Sequence, residues 1–200
     1  RTSINTSTFY GCTGLISVNL PDGLERICSY AFRGCTNLES IHLPDSITTL
    51  DADAFYGCSK LSSVNYPVSW TTKSYSGDWS NSNDGPFINC TKLTSIVIPE
   101  GVTSIPANAF YGYSSLKTVS LPSTLTSIGN DAFYGCSGLR DIDLSGIESI
   151  GSYAFQNCTG LTSIDLTSAT TIGEGAFRGC TGLTGVVVPQ GCSMGTAVFR

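Results

Sequence analysis

The sequence predicts a solenoid in which about eight short repeats stack on one another. The tetrad Phe-x-x-Cys recurs, and successive Phe residues lie 22 or 23 residues apart except for one interval of 32. A Leu follows each Cys position by three residues. A unit of this length cannot bury both sides of its apolar residues alone, so neighbouring units must stack and align equal positions in columns. The tetrads are Phe9/Cys12, Phe32/Cys35, Phe55/Cys58, Phe87/Cys90, Phe133/Cys136, Phe155/Cys158 and Phe177/Cys180, and Phe110 has Tyr113 in the Cys position.

The first element of each repeat is a short strand. Apolar residues alternate with polar ones after the Leu, as in Ile41-His42-Leu43, and a period of two indicates a strand with one buried face. Pro follows in six of the eight repeats. Because Pro has no N–H group to donate, it ends the strand and the chain turns there.

A second extended segment and a turn complete the repeat. A second apolar pair, such as Leu125 and Ile128, precedes the next Phe. The small and turn-forming residues that follow, as in residues 129–133, leave room for little more than about one turn of helix. The pattern therefore predicts short helical or 3₁₀ turns that carry the Phe residues, with little regular helix.

The full repeat, Ile-Gly-x-x-Ala-Phe-x-x-Cys-x-x-Leu-x-x-Ile-x-Leu-Pro, resembles the BspA-like subclass of leucine-rich repeats. Residues 129–144 contain it almost complete, and eight occurrences cover nearly the whole chain. The resemblance implies an α/β-type, right-handed leucine-rich-repeat solenoid. It also implies a cell-surface or secreted microbial protein that adheres to host matrix proteins or to other cells.

We expect one solenoid domain over residues 1–200, with an aromatic-rich insertion at about 66–86 that replaces the second apolar pair. Both termini fall inside a repeat, and neither shows the polar capping sequence that covers a last apolar layer. We therefore expect the parent protein to continue in at least one direction, or an atypical terminal segment to cover the end.

The charge and the hydropathy disfavour two classes of partner. The net charge is −5, and the ten Lys and Arg residues are scattered along the sequence, whereas nucleic acids and anionic membrane surfaces require clustered cations. No run approaches the roughly 20 apolar residues that cross a bilayer. We expect no nucleic acid partner and no direct membrane insertion of this chain.

The repeat cysteines are predicted to be a column of buried free thiols. They lie one per repeat without any CxxC pairing, and Tyr113 takes the same position in one repeat, which a metal ligand or a disulfide position would not accept. A disulfide within the column, or one involving Cys28 or Cys192, stays open as an alternative. The Phe column is predicted to be core rather than a cofactor site, and no cofactor is expected.

Catalysis has little support in the sequence. The single histidine, His42, falls on the outward side of its strand, and no nucleophile elbow or phosphate-binding glycine loop accompanies it. We expect an exposed histidine without a catalytic role, and a protein that is not an enzyme.

Three aspartates form the first candidate binding site. Asp141, Asp143 and Asp165 fall on outward strand positions of neighbouring repeats. Like charges side by side destabilise each other unless a cation or a basic partner lies between them. A Ca²⁺ ion or a basic partner is one hypothesis, and carboxylates screened by water are the alternative.

The insertion supplies the second candidate site. Trp70, Tyr75 and Trp79 are of residue types enriched in binding hot spots, and aromatic rings with polar neighbours also suit carbohydrates. Alternatively, the tryptophans cover the part of the core that the missing apolar pair leaves open, and the two roles are compatible.

The sequence thus predicts a non-enzymatic, adhesion-type domain that binds a protein (a host matrix or other cell-surface protein) or a glycan. Its location is expected to be the cell surface or the extracellular medium. A structural spacer without a ligand of its own is the alternative.

Overall fold

A computed structural model describes residues 2–71 and 84–200 of this chain. Each coil contributes up to two short strands, and all strand pairs are parallel. The strands are β1 (Ser3–Ile4), β2 (Ser17–Val18), β3 (Arg26–Ile27), β4 (Ser40–Ile41), β5 (Thr49–Leu50), β6 (Ser63–Val64), β7 (Ser95–Val97), β8 (Ser104–Ile105), β9 (Thr118–Ser120), β10 (Ser127–Ile128), β11 (Ser149–Ile150), β12 (Ser163–Asp165), β13 (Thr171–Ile172), β14 (Gly185–Val187) and β15 (Ser193–Met194).

The strands form two ladders along the solenoid. The first ladder comprises three sheets, β2-β4-β6, β7-β9 and β12-β14, and the second ladder comprises β1-β3-β5 and β8-β10-β11-β13-β15. The register joins equal repeat positions, such as Ile41 with Val64 and Ile128 with Ile150. The predicted stack of about eight coils with parallel strands is therefore confirmed.

One continuous core occupies the interior of the coils. Inward strand residues and the repeat Leu residues are buried, except in the coils at the two ends, where Leu15 and Leu183 are half-buried and Val186 is exposed. The Phe side chains stack face to face between successive coils, with ring centroids 5.1 Å apart for Phe9–Phe32, 5.2 Å for Phe32–Phe55, 5.5 Å for Phe55–Phe87, 5.1 Å for Phe110–Phe133, 5.1 Å for Phe133–Phe155 and 5.2 Å for Phe155–Phe177. The predicted Phe column is thus confirmed as core.

The Phe residues lie in tight turns and not in helical ones. Around Phe133, φ is +56° at Asp131 and +70° at Gly135, and most coils repeat this pattern. A helix needs consecutive right-handed residues, so left-handed residues on both sides of the Phe exclude one. The Phe133 amide instead donates to the Ala154 carbonyl of the next coil at 2.7 Å. The described ranges contain no helix, and the prediction of helical or 3₁₀ turns was wrong.

One ion pair, between a partly exposed arginine and a buried aspartate, lies in the wall of the second ladder. Arg26 donates from Nη2 at 2.8 Å and from Nε at 3.1 Å to Oδ2 of Asp51, whose side chain is fully buried. The Asp51 carboxylate raises the pKa of Arg26, chiefly through this hydrogen bond. Asp51 stands where later coils have Gly129 or Gly151, and the pair joins adjacent coils.

Candidate functional site

The outward side chains of the first ladder form a surface that runs across every coil, which we call the strand-face surface. As the alternation predicts, all of these residues are exposed except Asn65, which is half-buried. The surface consists of Ser17, Asn19, Ser40, His42, Ser63, Asn65, Ser95, Val97, Thr118, Ser120, Asp141, Asp143, Ser163, Asp165, Gly185 and Val187.

The three candidate aspartates are exposed on this surface. Asp143 and Asp165 line one shallow depression together with Ile164 and Val187. Asp141 forms an isolated backbone bridge with Thr118 on the preceding coil. The predicted adjacency of Asp143 and Asp165 is therefore present in the structure.

Each of two aspartates already uses one oxygen locally. Oδ1 of Asp143 accepts hydrogen bonds from the Ser145 hydroxyl at 2.6 Å and the Ser145 amide at 3.0 Å, which lowers the pKa of Asp143. Oδ1 of Asp165 accepts from the Thr167 amide at 3.0 Å. Within residues 2–71 and 84–200, no group of three His, Cys, Asp or Glu side chains is placed to hold a metal ion. The carboxylates thus form an acidic end of the strand-face surface, and a Ca²⁺ site stays a prediction.

A second shallow depression lies where the first ladder is interrupted. It is lined by residues of β6 and β7, together with Asn65, Tyr66 and Pro99. Asn65 uses its side-chain amide in place of strand pairing: its Oδ1 accepts from the Leu43 amide at 2.7 Å, and its Nδ2 donates to the Leu43 carbonyl at 2.8 Å. Val97, which is 67% exposed, adds an apolar side chain to this depression.

The first part of the predicted insertion follows the ordinary path of a repeat. The Trp70 amide donates to the Pro67 carbonyl at 3.1 Å, just as the Leu24 amide donates to the Pro21 carbonyl at 3.3 Å. Trp70 therefore occupies the first position of the second apolar pair, although this repeat was predicted to lack that pair. The signal was the spacing Tyr-Pro-x-x-Trp, which matches Leu-Pro-x-x-Leu in the other repeats.

Trp70 packs inside the core and is 2% exposed. Its ring contacts the edges of Phe87 at 6.5 Å and Phe110 at 5.9 Å between centroids, and it packs against Tyr66 at 5.0 Å. This is the placement that the core-covering interpretation expects, and it leaves Trp70 little surface to offer a partner. The other two candidate aromatics, Tyr75 and Trp79, lie outside the described residues.

The repeat cysteines are free thiols, as predicted, and all of them are buried except Cys12, which is exposed. Six of them donate from Sγ to the carbonyl of the Phe in the preceding coil, at 3.0 to 3.2 Å. At the position without Cys, the Tyr113 hydroxyl donates to the Leu93 carbonyl. Burial raises the pKa of Cys90 to about 12 and of Cys180 to about 11, and also raises that of Cys136 and Cys158. These thiols are therefore structural donors, not exposed nucleophiles.

The His42 side chain is exposed on the strand-face surface. Its strand neighbours across the ladder are Asn19 and Asn65, which are neither nucleophiles nor acids. The described residues contain no helix that is long and apolar enough to span a membrane.

The stacked coils of the structure agree with the protein family that the sequence matches. The family described as BspA type Leucine rich repeat region matches residues 2–77 and 80–200, in six copies. This chain belongs to that family. The resemblance drawn from residues 129–144 is thereby confirmed. No curated protein matches the sequence.

Several solved bacterial structures are similar to this BspA-type chain. A leucine-rich-repeat protein of T. pallidum is 27% identical, with 92% of this chain and 77% of that chain covered and a TM-score of 0.55. The pneumococcal vaccine antigen PcpA is 19% identical, with coverage of 95% and 56% and a TM-score of 0.50. A leucine-rich cell surface protein of Faecalibacterium prausnitzii is 21% identical, with coverage of 86% and 69% and a TM-score of 0.43. The T. pallidum structure supports the solenoid fold, and it and the family are leucine-rich-repeat proteins.

Proposed function

We propose that this BspA-type array is a non-enzymatic, adhesion-type binding domain of a cell-surface or secreted protein, and that the strand-face surface binds a protein or a glycan. One observation carries the proposal. The inward residues of the first ladder are nearly constant from coil to coil, whereas their outward neighbours change from Asn19 and His42 to Val97, Asp143 and Asp165. A fixed interior with a varied, exposed exterior is what a preformed recognition surface requires.

The chemistry of the surface favours many weak contacts. It is mostly small and polar, with shallow depressions at the β6–β7 interruption and at the acidic end. Such contacts act together when many copies are displayed on one cell, because binding at one site raises the effective concentration at the next. The cellular location follows from the BspA-type resemblance, and a ligand-free spacer is the alternative function.

A binding screen with matched variants tests the proposal. The purified domain is presented to immobilised matrix proteins and to a glycan array. Val97→Glu and Asp165→Lys change the strand-face surface, and Thr103→Glu changes an exposed residue near the second ladder. We expect at least roughly ten-fold weaker binding for one strand-face variant and unchanged binding for the control. A domain that is silent towards all ligands would instead support the spacer.

A further inference from the structure

Four cations lie on four successive coils, although they are dispersed in the sequence. They occupy the segment between the Cys position and the first strand, and we call Lys60, Lys92, Lys117 and Arg140 the basic edge. All four side chains are exposed. The edge gathers four of the ten Lys and Arg residues of a protein whose net charge is −5.

Backbone and side-chain contacts fix the alignment of these coils. The Thr91 hydroxyl donates to the Ser59 carbonyl at 3.4 Å, which places the next residues, Lys60 and Lys92, at equal positions of adjacent coils. The Lys117 amide donates to the Thr94 carbonyl at 2.8 Å, and the Arg140 amide donates to the Lys117 carbonyl at 3.3 Å. Lys117 and Arg140 therefore lie two residues further along their coils than Lys60 and Lys92, on the other side of a buried Leu. Because adjacent coils are about 5 Å apart, the basic edge extends for roughly 15 Å along the solenoid.

Within the described residues, no carboxylate forms an ion pair with a cation of the basic edge. The segments 59–62, 91–94, 114–117 and 137–140 contain no Asp or Glu. Within the described residues the ion pair is Arg26–Asp51, and none of the four cations shares it. Glu39 lies one coil before the row, and Asp141 follows Arg140 but belongs to the strand-face surface. The four cations therefore keep their charge available to a ligand.

The remaining side chains of the edge are hydroxyls. The same four segments contribute seven Ser or Thr residues, and their Leu residues are buried. An acidic peptide usually anchors through apolar or aromatic contacts, and single-stranded nucleic acid binds by stacking on exposed aromatic rings. These segments contain no aromatic residue. Exposed cations on four successive coils, set among hydroxyls, instead match a hydroxylated chain that carries anionic groups along its length.

We propose that the basic edge binds a linear polysaccharide that carries sulfate or carboxylate groups, aligned with the solenoid axis. The Lys and Arg side chains bind the anionic groups, and the neighbouring hydroxyls bind the sugar. This site is separate from the strand-face surface, so the domain can hold an anionic glycan while that surface remains free.

The test compares substitutions that other coils already contain. Lys60→Asn introduces the residue that another coil has at the equal position, Asn37. Lys117→Thr and Arg140→Thr both introduce the residue found at the equal position of a third coil, Thr94. Lys92→Ser completes a fourfold variant. The matched control, Arg178→Gln, removes an exposed cation outside the edge and copies Gln156 of the preceding coil.

Binding is measured to heparin, which is sulfated, and to polygalacturonate, which is carboxylated, with dextran as the neutral polymer, at two salt concentrations. We expect roughly five-fold weaker binding for each cation removed, loss of binding in the fourfold variant, and no effect of Arg178→Gln. Binding to at least one anionic polymer should weaken with salt, and dextran should not bind.

Several outcomes would overturn the proposal. These are undiminished heparin and polygalacturonate binding by the fourfold variant, no binding of either polymer by the parent, or tighter binding of polyglutamate or a single-stranded oligonucleotide. Val97→Glu should leave polysaccharide binding by the edge unchanged. The two proposed surfaces can therefore fail independently.

Discussion

Raising the pH above about 8.5 should destabilise the folded solenoid through its cysteine column. In the unfolded chain a thiol ionises with a pKa of about 8.5. In the folded chain burial raises the pKa of Cys90 to about 12, and raises that of Cys136 and Cys158 as well. Above pH 8.5 the unfolded chain therefore releases protons that the folded chain retains. Stability is complete below that pH and falls as the pH rises.

The magnitude follows from the number of buried thiols. Each thiol that stays protonated in the folded state costs about 1.4 kcal/mol of stability at one pH unit above the unfolded pKa. Cys90, Cys136 and Cys158 together should lower the free energy of unfolding by about 4 kcal/mol between pH 7.5 and 9.5. This is a large fraction of the roughly 5 to 15 kcal/mol that stabilises an ordinary domain.

Urea unfolding in the presence of a reductant, at a series of pH values, measures this effect. Cys136→Ala removes one buried thiol and should reduce the loss by about 1.4 kcal/mol, whatever its effect at pH 7.5. Ser137→Ala, at the exposed neighbouring residue, should keep the full pH dependence. An identical pH dependence for Cys136→Ala and the parent would refute the reasoning, because it would mean that this thiol ionises equally well in the folded state.

Three substitutions test individual contacts by urea unfolding at neutral pH. Trp70→Ala should cost about 3 to 5 kcal/mol by opening a cavity in the core, and Trp70→Leu, the residue of other coils at this position, should cost clearly less; equal costs would contradict the packing role. Arg26→Met should cost about 1.5 to 3 kcal/mol because it removes the guanidinium hydrogen bonds to the buried Asp51 carboxylate, and adding Asp51→Leu should recover much of the loss. Asn65→Ala should cost about 1 to 3 kcal/mol because it leaves the Leu43 amide and carbonyl without their partner, and a neutral result would show that water replaces it.

The repeat spacing was sufficient to predict the ladders, the Phe column and the outward strand positions. The reason is that one short unit has few ways to bury its apolar residues, and each stacked unit buries them in the same way. The free state of the thiols could be predicted from one exception in the repeat. Tyr113 takes a Cys position, and a tyrosine there is incompatible with a column of disulfides. The turn around the Phe was predicted wrongly, since its left-handed residues include Asp131 and Tyr153 as well as glycines, and residue type alone does not reveal that conformation.

The sequence by itself determined the stacking, the register of the coils and the division into inward and outward residues, because these depend on periodicity and apolar burial. Only the tertiary structure decided that Trp70 is a core residue and that Arg26 pairs with Asp51 from the next coil. It also decided that Lys60 and Arg140 belong to the same basic edge. Residues 80 positions apart in sequence come to lie on one edge, about 15 Å apart, through the stacking of coils. The charge of a surface depends on that arrangement, and the amino-acid composition of the whole chain does not reveal it.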